Sequence, residues 1–506
     1  TRFFILLLLT LTLSFVIRIY QLTQNPEGFD QTEAAFAYNA YSIFKTGRDE
    51  YGKLFPLVLT SIGDYKLAGY SYWQIPFIAI FGLNEFSARL STVTAGMISL
   101  ILIYYIVNQT LKKRKLALLT LFFTGVSPWH IILSRMAYDP MIALMFFLAS
   151  ILLFIKWYTT ERLYLLLISA LALCWAIATY YAVWVILPFI LIFYFIYILK
   201  KPGRKTSFWL TMLILLLPVL MLIKLLLITH GQRLNQDSTY QVHAYPLLLE
   251  QIMEDQHEFP LPVTRVFHNK LTFYPQFLLQ NLFNNLSFDF LFLRGDKMDR
   301  RFSVPYHGVL YLWAAPFVLL GLLYFVKNHS LYKNTLVLGT ILIVFLGSSF
   351  SEFGSETERT IFAIPLFCFL ISYGLISMYR NLRPNPIFTL LLSCAGLLLV
   401  YNVAYFNHQY YWHANVHEPW GRDFGVHEMI LSLPTLKEKY QKIVIPDSSY
   451  IFYYLYNKVD PKTAWAESGV KVNKKNFLGL HLRSNIGDHL AMPIECPAAG
   501  KLNVVY

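Results

Sequence analysis

Long apolar runs separated by short polar links pattern most of this chain. A helix needs about 20 apolar residues to cross a bilayer core. About eleven segments approach or reach that length: 3–19, 88–107, 116–133, 141–157, 163–178, 182–199, 208–228, 308–326, 335–346, 361–378 and 387–405. The pattern predicts an all-α polytopic membrane protein. The first run follows Thr1 directly and has no small-residue cleavage motif behind it. It therefore reads as a retained span rather than a leader, with a few residues expected ahead of Thr1.

The polar links set the orientation. KKRK (112–115), KKPGRK (200–205) and the pairs Lys327/Lys333 and Arg380/Arg383 are basic, and basic loops stay cytoplasmic. With an inside amino terminus, the remaining polar segments fall outside: 20–87, 229–307 and everything after 406. Residues 70–83 (YSYWQIPFIAIFGL) are apolar but short. Counting them as a span would put KKRK outside, so they read as an interfacial or re-entrant helix. The domain reading is thus a membrane domain over 1–406 and an extracytoplasmic module over 407–506. That module reads as a helix (424–440), a β-branched run (KIVIPD, 442–447) and an aromatic segment (YIFYYLY, 450–456), a small α/β unit.

Composition agrees with this picture. The chain is 56% hydrophobic and 14% charged, against about 25% charged in soluble domains. Its net charge of +13 follows from cytoplasmic loops, so no nucleic-acid partner is read from it. Cys174, Cys368 and Cys394 lie in apolar runs, Cys496 lies in a polar one, and no CxxC occurs. Neither a disulfide framework nor a metal knuckle follows. His408, His413, His417 and His427 lack the spacing of three ligands on one face.

The first outer loop holds the densest chemistry. Asp30-Gln31-Thr32-Glu33 has the form of a capping box opening a helix over 31–46, with Gly47 at its carboxyl end. The amino end of such a helix at a membrane surface suits an anionic ligand. Arg48, Asp49 and Glu50 follow, then SIGDYK (61–66). Arg48 and Lys66 also fit a role as interfacial anchors. Basic residues, carboxylates and aromatic rings near the interface suit a sugar-phosphate lipid better than an ion pathway, because acidic residues are nearly absent from the spans. The middle loop, with Arg265, His268, Lys270, Arg294, Arg300 and Arg301 among as many acids, reads as a solvated mixed surface.

Glu33-Ala34-Ala35, AYNAYSIFKTGRDEYG, SIGDYK, YW, IFGLNEFSARL, SPWHIILSR, RTIFAIPLF and YFNHQYYWHANVHEPW, in this order and topology, resemble the GT-C superfamily. The resemblance is to its polyprenyl-phosphate-sugar transferases: the protein O-mannosyltransferases and the lipid A aminoarabinose transferases, in a prokaryotic form. It runs from Phe3 to about Trp420. It implies a multi-pass cell-membrane glycosyltransferase with its active site on the extracytoplasmic side. A sugar would pass, with inversion, from a polyprenyl-phosphate donor to an acceptor hydroxyl of a protein, lipid or glycan. A carboxylate would act as base and no cofactor is needed, since arginine and lysine can neutralise a single departing phosphate.

Carried over residue by residue, the resemblance implies Glu33 and Asp64 as acid/base and positioning groups. It implies Lys66, Arg89 and Arg359 as phosphate ligands, with Arg135 a further basic residue at an outer boundary. The favoured base of these enzymes is an aspartate where this chain has Thr32, and a threonine hydroxyl is no base near neutral pH. Asp30, one turn earlier, is the substitute by inference rather than by match. Two other readings compete. A transporter or flippase of polyprenyl-linked substrates would need polar groups within the spans and an internal repeat. A non-catalytic relative that binds the donor would need only the basic residues, and Thr32 favours it.

Overall fold

The computed structural model describes residues 2–200, 205–230, 244–296, 300–350, 356–381, 386–417, 419–439, 443–445 and 449–468, with short strands at 485–486, 490–491 and 503–504. Most of Lys201–Lys205, together with Arg383, Lys442, Asp447 and Cys496, therefore lies outside the described residues. Helices dominate. They are α1 (Arg2–Ile19), α2 (Gln31–Thr46), α3 (Gly69–Phe81), α4 (Glu85–Leu111), α5 (Arg114–Val126), α6 (Pro128–Arg135), α7 (Pro140–Thr160), α8 (Leu163–Ile177), α9 (Ala182–Leu199) and α10 (Lys205–Thr229), followed by shorter helices of the middle loop and the later spans.

Seven helices among the described residues are long and apolar enough to cross a membrane, or eight if the bent pair α5/α6 is one span. The chain is a multi-pass helical membrane protein. Leu163–Ile177, Leu312–Asn328 and Lys333–Ser349 are apolar but shorter; they occupy three of the segments behind the expected count of about eleven. The α5/α6 pair bends by 58°. Pro128 starts α6 with no N–H to donate, and it disfavours helical geometry at Ser127, which is extended at ψ 129°.

Small residues let the helices approach closely. At Gly96 of α4, an added Cβ would lie 2.8 Å from Ser134 Cβ of α6. Arg135, at the end of α6, donates to the carbonyls of Ile17, Arg18, Tyr20, Gln21 and Asn25 at 2.7–3.3 Å. Ile17 and Arg18 belong to the last turn of α1, where positive charge is favoured, and the other three lie in the turn that follows it.

The first loop begins with α2, capped as the sequence predicts. Asp30 accepts from the Thr32 amide at 2.7 Å, Glu33 completes the box, and Gly47 takes the left-handed conformation at φ 71°. An antiparallel hairpin follows, β1 (Val58–Ser61) and β2 (Asp64–Leu67), turning through Ile62 and Gly63 at φ 56° and 68°. Helix α3 covers most of the 70–83 segment.

The tail packs onto this loop. The expected helix is Val426–Lys439, the β-branched run contributes the strand Ile443–Val444, and the aromatic segment is the helix Tyr450–Tyr456. Four two-residue strands form one sheet, with Ile443–Val444 parallel to both neighbours. The Tyr38 hydroxyl donates to Val459 O at 3.0 Å and its ring meets Tyr454 at 5.2 Å. Trp465 Nε1 donates to Asp49 O at 2.8 Å. The Tyr450 hydroxyl accepts the Ile62 amide at 3.0 Å and donates to Glu50 Oε1 at 3.1 Å.

Candidate active site

One cavity of about 210 Å³ joins the first loop to the helix junctions at one end of the bundle. Strand β2 supplies Asp64 and Lys66, which are two residues apart and so share a face. Lys66 Nζ lies 3.2 Å from Asp64 Oδ2, with the lysine side chain only 8% exposed. The α6–α7 junction adds Tyr138 and Asp139, the α8–α9 junction adds Tyr180 and Tyr181, and Glu358 and Arg359 come from the segment leading into Ile361–Asn381. Thr32 and Phe36 of α2 complete the wall with Arg301. These junctions alternate along the chain with those at Lys112–Lys113, Glu161–Arg162 and His329–Ser330, so the basic links stand at the opposite end.

Backbone contacts fix the hairpin against the bundle. Gly69 N donates to Ala178 O at 2.9 Å, and the Tyr181 hydroxyl donates to Tyr65 O at 3.3 Å. A side chain at Gly69 would stand 2.7 Å from Ala178 O. Arg359 pairs with Glu356, leaving its side chain 21% exposed at the cavity.

The structure thus brings Asp64, Lys66 and Arg359 together, with Thr32 beside them. It places Glu33, Arg89 and Arg135 elsewhere. Arg89 Nη2 meets Glu33 Oε2 at 3.3 Å, both side chains being essentially fully buried. Glu33 also accepts the Ala137 amide at 2.6 Å and the Asp30 amide at 3.1 Å. Arg89 further donates to the carbonyls of Leu22, Pro26 and Gly28. Glu33 and Arg89 form a brace behind α2, and Arg135 is the cap of α1 described above.

Asp30 stands between these two groups. It is 3% exposed and does not line the cavity. Its carboxylate accepts the Tyr138 hydroxyl and lies 3.4 Å from Arg301 Nη1. Arg301 Nη1 also donates to the Tyr138 hydroxyl at 3.2 Å. The amino end of α2 is already occupied by carboxylates, since Asp423 Oδ2 accepts the Gln31 amide at 2.9 Å and Asp30 takes that of Thr32. Burial holds the phenol of Tyr138 well above the usual tyrosine range, with Arg301 opposing the shift and Asp30 adding to it.

Tyr138, Asp139, Tyr180, Glu358 and Arg301 are the wall residues that sequence reasoning missed. The available signal was their position, polar residues crowded at the helix junctions of one end of the bundle. Arg301 is the exception in the middle loop. Arg294 pairs with Asp289 at 3.1 Å and is 67% exposed, as a solvated surface would have it. His427 stacks on Tyr456 at 4.2 Å, and among the described residues no group of three or more His, Cys, Asp or Glu is placed to hold a metal ion.

Residues 69–223 match the family of dolichyl-phosphate-mannose-protein mannosyltransferases. No curated protein matches the chain. Among solved structures, the archaeal oligosaccharyltransferase AglB from Archaeoglobus fulgidus, in complex with an inhibitory peptide and a dolichol-phosphate, aligns with a TM-score of 0.51 at 11% identity, over 90% of this chain and 63% of that one. The chain thus spans less than two thirds of that protein's length. ArnT from Cupriavidus metallidurans aligns in its apo state with a TM-score of 0.49 at 12% identity, over 90% and 84% of the two chains. Bound to undecaprenyl phosphate, it aligns at 0.45 and 14%, over 85% and 71%. In fold and in its matched segment, the chain resembles the GT-C superfamily.

Proposed function

We propose that this chain is an integral membrane glycosyltransferase that moves a sugar from a polyprenyl-phosphate donor to an acceptor hydroxyl on the extracytoplasmic face. The observation that carries the reading is the convergence of Lys66, Arg359 and Arg301 with Asp64 and five aromatic rings on one cavity. The family matched over 69–223 is described by a lipid-phosphate-linked mannose donor, which supports the same donor class. The outward side follows from the basic links at the other end of the bundle.

Lys66 and Arg359 hold the phosphate and neutralise the charge that grows on it as the sugar departs. Asp64 keeps the Lys66 ammonium in place rather than acting as base, since the two are paired at 3.2 Å. Phe36, Tyr65, Tyr180 and Tyr181 supply flat walls for a sugar ring. The acceptor oxygen attacks the anomeric carbon opposite the phosphate in a single displacement, which inverts the centre. Asp30 is the carboxylate on which a proton comes to rest as the acceptor is deprotonated, although it does not itself line the cavity. A second reading, a non-catalytic relative that only binds the donor, is favoured by Thr32 on the cavity wall.

Equilibrium binding of polyprenyl phosphate to the purified protein tests the phosphate site. Arg359→Ala and Lys66→Ala are each expected to weaken it by about 10-fold or more, as loss of a charged hydrogen bond worth about 1.5–3 kcal/mol requires. Unchanged affinity in both variants removes these residues from the site.

A further inference from the structure

Asp30 is buried and does not line the cavity, whereas Tyr138, whose hydroxyl donates to the Asp30 carboxylate, does. We propose that Tyr138 is a catalytic residue that takes the acceptor's proton while passing its own to Asp30. The proposal rests on the transferase reading above and supplies the proton route which that reading lacks.

Three observations converge on the Tyr138 oxygen. It donates to Asp30 Oδ1, so its hydrogen already points at a base and its lone pairs remain for another donor. It receives Arg301 Nη1 at 3.2 Å, and the same nitrogen lies 3.4 Å from Asp30 Oδ2. One guanidinium thus serves both oxygens as charge moves between them. Phe302 packs edge-on against the Tyr138 ring, with centroids 4.9 Å apart, and holds it in place. Thr32 faces the same cavity without a carboxylate. Burial disfavours a standing phenolate, so a proton arriving at this oxygen must be matched by one leaving it.

The step balances. The acceptor O–H breaks and its proton goes to the Tyr138 oxygen, while the Tyr138 hydrogen goes to the Asp30 carboxylate. The acceptor oxygen forms its bond to the anomeric carbon with the freed electron pair. The bond from that carbon to the phosphate oxygen breaks, and its pair leaves with the lipid phosphate.

The test compares wild type, Tyr138→Phe, Asp30→Asn and the double variant, in membranes supplied with a polyprenyl-phosphate sugar that wild type turns over. Asparagine keeps the α2 cap, because it is as good an N-cap as aspartate. Each single variant is expected to lower kcat by about 100-fold, the lower end for general acid–base catalysis, with the donor KM unchanged. The double variant should be no slower than the singles, as for residues acting as one unit. The wild-type rate should depend non-linearly on the D2O fraction, because two protons move together, a readout that a packing role leaves alone. Fluorotyrosine at 138 keeps the shape while changing the hydroxyl's acidity, and it should alter kcat.

Tyr138→Phe at wild-type kcat, multiplicative losses in the double variant, or no response to fluorotyrosine overturns the relay while transfer stands. Absence of transfer by wild type from every donor overturns the transferase reading and the relay together.

Discussion

Thr32 and Glu33 are neighbours in α2 yet serve different faces of it: Thr32 lines the cavity, and Glu33, outside that lining, lies 3.3 Å from Arg89. Consecutive helix residues point about 100° apart, so one position separates the wall of the site from the brace that holds it. An exchange at either position should therefore be read out differently.

Glu33→Gln leaves the Arg89 guanidinium buried without its counter-charge. Breaking a buried pair from one side costs about 3–5 kcal/mol. Thermal unfolding in detergent is expected to show a loss of that order, with transfer per folded molecule retained within about threefold, under 1 kcal/mol. Full stability with abolished transfer would return Glu33 to the chemistry.

The hairpin that presents Asp64 and Lys66 is tied to the tail through Tyr450. Ile62 holds a left-handed backbone at φ 56°, which is unfavourable for a β-branched residue, and its amide donates to the Tyr450 hydroxyl. Tyr450→Phe keeps the ring and removes that acceptor. Hydrogen exchange at the Ile62 amide should accelerate by about 10-fold, the equivalent of about 1.4 kcal/mol, and kcat should fall several-fold. Unchanged exchange would mean that the tail does not position the hairpin.

Asp423 joins the tail to the start of α2, and burial, then the charge of Asp30, raises its pKa above the ordinary carboxylate value of 3.8. The proton is therefore held more tightly in the fold than in the unfolded chain. This favours the fold at low pH, and the contribution is lost as pH climbs from the ordinary carboxylate range through the raised value. Asp423→Asn still accepts the Gln31 amide but carries no charge. Its melting temperature relative to wild type should rise with pH across that window and then level off; a flat difference would show that Asp423 pays no charge penalty in the fold.

Local features were legible because they depend on residues close in sequence. The capping box at Asp30–Glu33, the Gly47 terminus and the apolar runs follow from spacing alone. Asp64 and Lys66 were legible through the resemblance alone; that they share a face follows from the strand β2 that the fold makes of them. The roles of Glu33, Arg89 and Arg135 were not, since each is decided by partners far along the chain, such as Ala137 for Glu33 and Tyr20 for Arg135. Arg301 was hidden for the same reason. Arg294 of the same loop is exposed, whereas Arg301 reaches Asp30 and Tyr138 from far along the chain.

The most direct test is sugar transfer from a radiolabelled panel of polyprenyl-phosphate sugars, with wild type, Thr32→Asp and Lys66→Ala in matched membranes. Wild type is expected to turn over at least one donor, and Lys66→Ala to lower that rate by about 10-fold or more, the equivalent of about 1.4 kcal/mol or more. Transfer by Thr32→Asp alone would contradict a working base in the wild-type chain and leave it a donor-binding relative.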